Sequence, residues 1–543
     1  MRRRRSVAGI LGAAALLATA VPAMAGAAPT PPELTVLASY DSGSGEAGAE
    51  IVAFDARTDT MLVTNAVLLR IDIVSLADPE APSLLRTVDL SSYGSAVQSV
   101  AASRGLGVAV VNGATVLDRG RAVFFDIATG VVRSTVRVGV LPDSVTFSAD
   151  GTLAVVSNEG EPRCVDPEDR SLTTDPTIAE NPEGSITLIS VRNGGRSVRA
   201  RQVGFRGLLD AEDLAELTED GLRAPFWPGS TVAEDLEPEQ ATIVGDRAYV
   251  TLQENNAVAV VDLRDGRVDE ILPLGTKDHT DLGEAFDASD KDGGFNQQVW
   301  PVQGVYQPDG IASMTGPGGR TLLLLANEGD ARAYFGGIDN EEVDGQECFV
   351  EEARVKDLTL DPAVFGDVAA LQAQSALGRL KVTTAVPSSS AGSGYRSLAS
   401  FGGRSVSIRD TDGDLVWDSG SMFERIVEQE DPDHWIATAA APAWATAAYD
   451  TRSDDKGPEP EGIVVGRRGG RQYAFVGLER AGGVVVLDVT NPASPTFVQW
   501  ARSSGDVSPE GLAYVPASVA PGGRALVLVA NEISGTTTIF RFD

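Results

Sequence analysis

The stretch "PDSVTFSADGTLAVVSNEGEP", Pro142 to Pro162, decides the fold. It opens on Pro-Asp, holds two β-rich runs around the turn "SADG", and closes on Asn-Glu-Gly-Glu-Pro. The second run, Leu153 to Val156, is wholly apolar, as suits a strand covered on both faces. The phrase returns as "PEQATIVGDRAYVTLQENNAVAVVDL" from Pro238 and "PDGIASMTGPGGRTLLLLANEGDAR" from Pro308. It returns again as "PEGIVV" from Pro460 and "PEGLAYV" from Pro509, and more loosely from Ala49 and Val97, making seven copies. In the copy from Pro238 the runs 241–244, 248–252, 257–262 and 268–274 read as strands, separated by Gly-Asp, Asn-Asn and Asp-Gly turns.

Four antiparallel strands repeated seven times predict an all-β fold, a seven-bladed β-propeller of four-stranded antiparallel blades. A solenoid would need a shorter, more uniform period, and separate sandwiches would need linkers. The last copy stops after three strands, and the lone run "ELTVLASYD" at 33–41 has no copy of its own. It is expected to supply the missing strand and close the ring, which removes a free sheet edge. The long connections, about 158–184, 204–237, 275–307, 328–397 and 419–459, all fall between strands 2 and 3 or between copies. In an up-and-down blade these share one face, the place where function gathers on a rigid scaffold.

The 543 residues carry a formal net charge of −33, which repels nucleic acid and anionic membranes and attracts cations. Arg2–Arg5, the apolar run 7–21 and Ala23-Met24-Ala25 read as a signal peptide over 1–25, followed by a short linker, 26–32, and one propeller domain, 33–543. The paired arginines also permit the twin-arginine route. No later run is long enough to span a membrane, and the chain stops at Asp543 directly after "TTTIFRFD", so a secreted, unanchored monomer is expected. In an exported chain the two cysteines, Cys164 and Cys348, both in long loops, are expected to form a disulfide.

The acid after each Pro stands at the start of the innermost strand: Glu50, Asp143, Glu239, Asp309, Glu461 and Glu510, with Gln98 in the second copy. A second set follows strand 2: Glu159, Glu254, Glu328, Glu479 and Glu532. Both sets should ring the channel mouth on the loop-rich face. Such clustered carboxylates need raised pKa values, cationic partners or bound metal, and oxygen-only ligands suit Ca²⁺ before Mg²⁺. The competing structural reading makes the acids backbone caps and the Asn-Glu pairs stitches between blades. In "DASDKDGG" (287–294), Asp290, Asp292 and Gly293 have calcium-loop spacing but lack its first and last ligands, so a solvated loop is preferred; "DTDGD" from Asp410 reads as a hairpin turn. The two histidines, His279 and His434, lie in long loops; His279, in "TKDHTD", is a candidate ligand or phosphate contact, but the preferred reading is of surface residues.

The phrases "GAEIVAFD", "LPDSVTFSADG", "VSNEGEP", "VTLQENNAVAVVDL", "YQPDGIA", "ANEGDAR", "FGGRSVSI", "SDDKGPEPEGI", "VGLERAGGVVV" and "VANEISGTTTI" together resemble the choice-of-anchor I family of exported bacterial proteins. That family is similar to mesenchyme-specific cell-surface glycoproteins linked to biomineralisation, and some members are labelled alkaline phosphatase. The resemblance implies an extracellular propeller with cation affinity. Two functions follow. One is a secreted calcium-binding protein that engages an extracellular ligand, glycan or mineral surface. The other is a metal-dependent phosphoesterase acting on a phosphate ester, for which no nucleophile or base motif is present.

Overall fold

The computed structural model describes residues 32–166, 168–175, 177, 179–224, 229–338, 346–385, 394–432 and 449–543. The expected signal peptide and His434 lie outside them. Seven four-stranded antiparallel sheets occupy the unit Glu33–Asp543 among these residues. In chain order they are sheet 1 (52–89), sheet 2 (97–140), sheet 3 (142–204), sheet 4 (241–273), sheet 5 (311–418), sheet 6 (460–501) and sheet 7 (509–542). Sheet 7 takes its fourth strand from Leu34–Asp41, which pairs antiparallel with Thr536–Phe542, Leu34 opposite Phe542 and Asp41 opposite Thr536. Gln499 of sheet 6 clasps that strand, accepting from Leu34 N at 2.8 Å and donating to Leu34 O at 3.1 Å. Tyr40 reaches the other way, to Asp72 of sheet 1 at 2.9 Å.

The hydrophobic core lies between sheets. Leu62, Ile71 and Ile73 of sheet 1 meet Val111, Val123 and Phe125 of sheet 2, while Met61, Val63 and Val74 meet Leu526, Leu528 and Ile539 of sheet 7. One such cluster sits between each consecutive pair. Alternate side chains of an inner strand therefore enter two different clusters. That is why Leu322–Ala326 is apolar at every position and fully buried, where a strand with one wet face would alternate. Outer strands do alternate: Ser83–Asp89 buries only Val88. First strands touch in sequence order, and that of sheet 7 touches that of sheet 1.

The long connections join one another. Cys164 and Cys348 form a disulfide that ties the connection after Asn158 to the one after Asn327. Thr276–Asp278, Gln303–Val305 and Ala399–Ser400 form a three-stranded sheet shared by two connections. Phe286, Val302, Val355, Leu377, Leu380 and Leu398 build a further apolar cluster from the same two. Buried Lys277 spans Glu284 at 2.9 Å and Asp418 at 2.8 Å.

Candidate functional site: an acid-lined channel

The Pro-acid phrase has a repeated backbone geometry. The residue before Pro is left-handed in four copies: Leu141 (φ 44°), Gln307 (44°), Glu459 (54°) and Ser508 (62°). The residue after the acid is where the next sheet approaches. A Cβ on Gly310 would stand 2.2 Å from Glu461 O, one on Gly462 2.0 Å from Glu510 O, and one on Gly511 2.5 Å from Glu50 O. Glycine is what lets these first strands close up. In sheet 3 Ser144 takes that place and donates its hydroxyl to Glu239 O.

First-strand segments of all seven sheets line one cavity of about 840 Å³. Among the described residues eleven carboxylates face it, Asp143, Glu159, Glu161, Glu237, Glu239, Glu254, Asp309, Glu328, Asp330, Glu461 and Glu510, and no Lys, Arg or His lines it. The structure thus gathers eight of the ten sequence-predicted ligands. Glu479 and Glu532 stand just outside, close enough to raise Glu461 and Glu510 respectively. Glu161, Glu237 and Asp330 were missed. Their signal was an acid doublet two residues apart, as in Glu159-Gly-Glu161, Glu237-Pro-Glu239 and Glu328-Gly-Asp330.

The acids divide into neutralised and unneutralised sets. Glu328 accepts Lys456 at 2.7 Å and Gln253 at 2.9 Å. Glu459, fully buried, takes Arg452 at 2.7 Å, Lys456 at 3.4 Å and Arg480 at 3.4 Å, and Arg480 also holds Glu479 at 3.0 Å. Burial alone would raise Glu459; Lys456, Arg452 and Arg480 outweigh it and hold the carboxyl below its usual range. Carboxylate oxygens of Glu328, Glu459 and Glu479 lie within 4.8 Å of one another, but ammonium and guanidinium groups already occupy that trio. Glu237 likewise faces Arg332 at 3.3 Å and Tyr334 at 2.8 Å.

The other set has no such partners. Among the described residues no backbone N–H donates to Asp143, Glu239, Asp309, Glu461 or Glu510, so the capping role fails for them. Asp143 accepts only Gln240, at 3.3 Å. One oxygen each of Glu239, Glu254 and Glu461 is buried without a hydrogen-bond partner. Burial, then neighbouring carboxylates, pushes Glu239, Asp309, Glu461, Glu510 and Glu159 well above the usual carboxylate range. Burial raises Asp143 to about 7, and burial despite Arg332 raises Glu254 to about 7. Of the asparagines before the outer acids, Asn158 stitches two sheets, accepting Gly139 N of sheet 2 at 2.8 Å and donating to Ser185 O at 2.8 Å, whereas the side chains of Asn327 and Asn531 bond within their own sheets.

Two loop expectations are corrected. His279 is 2% exposed rather than on the surface, with Nδ1 2.5 Å from Glu284 O and its ring against Phe286; it lies outside the channel lining, and burial lowers it to about 3. The 287–294 loop is not simply solvated: Asp287 is fully buried and Asp290 is paired with Arg379 at 2.9 Å. There Asp287, Asp292 and Asp450 bring carboxylate oxygens within 4.8 Å of one another. The "DTDGD" turn is a hairpin as expected, Asp410 accepting Asp412 N and Asp414 N at 3.1 Å.

The model of the choice-of-anchor I domain matches residues 50–492. Gigasin-3a of Magallana gigas is 27% identical over 191 residues, 32% of this chain and 67% of its own length. The mesenchyme-specific cell surface glycoprotein of Strongylocentrotus purpuratus is 30% identical over 325 residues, 55% of this chain and 41% of its own, so the chain spans less than half of that relative. Among solved structures, Kuenenia stuttgartiensis hydrazine synthase aligns over 91% of this chain and 96% of its own at 13% identity and a TM-score of 0.44. The β-propeller domain of Myceliophteria thermophila Cps50 (Swd1) aligns over 94% and 99% at 8% identity and 0.44. No helix among the described residues is long and apolar enough to cross a membrane.

Proposed function

The chain belongs to the choice-of-anchor I domain family, and from that premise we propose that it is an exported, seven-bladed β-propeller, closed by its N-terminal strand, that binds divalent cations in its channel and works outside the cell as an interaction protein. The observation that carries the reading is a channel lined, among the described residues, by eleven carboxylates and no cationic side chain, several of whose buried oxygens have no partner. Leaving such groups charged and unpaired is costly, and a hard cation with its waters removes the cost. Calcium suits the oxygen-only lining best. The seat is the part of the ring with no ion pair to Lys456, Arg480 or Arg332: Glu239, Glu159, Asp143, Asp309, Glu461 and Glu510, with Glu254, which Arg332 offsets in part, beside them. A cation held there offers open coordination positions to an anionic extracellular ligand, a glycan or a mineral surface. The cell-surface relative supports export.

The phosphoesterase alternative has no specific observation in its favour, His279 being sealed away from the channel. The test is calorimetric titration of chelator-treated protein with Ca²⁺, beside the Glu239→Gln, Glu461→Gln double variant. Binding heat and a higher melting temperature in the parent, both reduced in the variant, are expected, since a ligand of the native state alone stabilises by mass action. No heat and no thermal shift in the parent would sink the cation reading.

A further inference from the structure

A second charged feature lies at the other strand ends of sheets 1, 2 and 3, where the short turns are. Arg57, Arg104, Arg133 and Arg192 line a groove of about 570 Å³ whose one acid is Asp126. Asp126 is already engaged: Arg133 pairs with it, and Thr129 donates its N–H and hydroxyl at 2.8 and 2.9 Å. The nearby acids cap their own turns. Asp55 accepts Gly105 N at 2.7 Å and Thr58, and Asp150 accepts Ser148 and Thr152. Arg57, Arg104 and Arg192 are therefore left as three guanidinium groups from three consecutive sheets, none with an acidic partner within ion-pair distance among the described residues.

Arg104 is also in a place that its side chain does not favour. Ser103 pairs with Leu106, so Arg104-Gly105 is a two-residue hairpin loop, with φ of 54° and 85°. Both angles are positive, the geometry for which Asn-Gly is the preferred pair. An arginine there carries a backbone cost, and apart from the charge it presents to Asp150 its side chain makes no ion pair or hydrogen bond among the described residues, which points away from a purely structural role.

We propose that this groove binds a sulfated polysaccharide. Guanidinium groups hold sulfate oxygens by paired, charge-assisted hydrogen bonds. Three of them set across three sheets match anionic groups repeated along one chain rather than a single small ion. Leu106 and Val191, between the arginines, give an apolar floor for the C–H faces of sugar rings. The overall charge of −33 does not forbid this. The acidic channel end is a strand length away, about 20 Å, and the screening length at physiological salt is about 8 Å.

The test uses the full mature chain in chelator, so that a bridging cation at the acidic mouth cannot contribute. Heparin is the sulfated probe and its desulfated form the control, measured by calorimetry at two salt concentrations. Heparin should bind, more weakly at higher salt, and the desulfated form should not. Arg104→Asn with Arg192→Ser should weaken binding about tenfold or more. Arg104→Asn alone should keep or raise the melting temperature, because asparagine suits the turn, so lost binding cannot be lost folding. Arg264→Ser with Arg524→Ser, also at turns but outside the groove, should leave binding unchanged. Absent heparin binding, equal loss in that control pair, or equally tight groove-dependent binding of a DNA oligonucleotide would each overturn the proposal.

Discussion

Glu239 and Glu459 are both more than nine-tenths buried, and their neighbours give them opposite effects. Glu459 holds three cations; Glu239 faces Glu254, Asp309, Glu159 and Asp143. Glu459→Gln takes one carboxylate from three cations that each keep another, and is expected to cost about 1.5–3 kcal/mol, with or without Ca²⁺. Glu239→Gln in chelator should be neutral or stabilising, within about 1 kcal/mol, because it relieves repulsion from four neighbouring carboxylates while the amide can still donate to Glu254. Urea melts in chelator and in Ca²⁺ check both. The channel acids also set a pH dependence. Folded Asp143 and Glu254 titrate near 7 and Glu50 near 8, each raised first by burial, against unfolded values of 3.8 for Asp and 4.5 for Glu. Between those limits the folded state binds more protons than the unfolded one. The stability these groups contribute is full below about pH 4 and is lost as pH rises through 7 to 8 in chelator. Ca²⁺, taking the protons' place, should flatten that fall. Thermal melts from pH 4 to 9, with and without Ca²⁺, read it directly; stability that rises with pH in chelator across this window would contradict the assignment.

At the scale of elements, the connections hold each other more than they hold the sheets. The Cys164–Cys348 bridge spans 184 residues, with sheet 4 inside the loop it closes. In the chain-entropy model such a loop contributes about 5 kcal/mol. Arg223 with Glu351 and Arg332 with Asp235 run parallel to it, tying the connection after Gly204 to the same long loop. Cys164→Ser with Cys348→Ser should lower the melting temperature while leaving the far-ultraviolet signature of the sheets intact, since none of the seven four-stranded sheets includes either cysteine. Loss of sheet signal at 25 °C would mean that the connections help the sheets to form.

For the whole molecule the decisive joint is Leu34–Asp41. It covers the edge of Thr536–Phe542, puts Leu34 into the core between sheets 6 and 7, and is gripped by Gln499 and Asp72. Deleting 33–41 exposes a β-branched and aromatic edge, a ready template for intermolecular pairing. The deleted chain is expected to aggregate on refolding, and Gln499→Ala to lower stability by about 1–2 kcal/mol with aggregation unchanged. Light scattering and melts separate the two.

How much of this could be read from the chain alone follows from the range of the interactions. Repetition and local patterning need only neighbouring residues, so the four-strand units, the turns, the acid after Pro and the lone N-terminal strand were legible in order and nearly in boundary. The pairing of Leu34–Asp41 with the last strand followed from counting, because one unit lacked a strand and one strand lacked a unit. The carboxylates' fates were not legible. Glu328 and Glu159 both stand in Asn-Glu-Gly phrases, yet Lys456, 128 residues from Glu328, satisfies one, while burial and neighbouring carboxylates raise the other. His279 looked exposed because its loop is polar; the apolar cluster that buries it draws on residues 286 to 398. The three groove arginines without an ion pair are scattered at 57, 104 and 192, and only the packing of three successive sheets, where Arg57 donates to Arg104 O at 3.2 Å, makes them one surface. Local sequence determines each strand and turn by propensity and pattern, whereas charge pairing and burial depend on which distant side chain arrives within a few ångströms, and that is decided only when the sheets assemble.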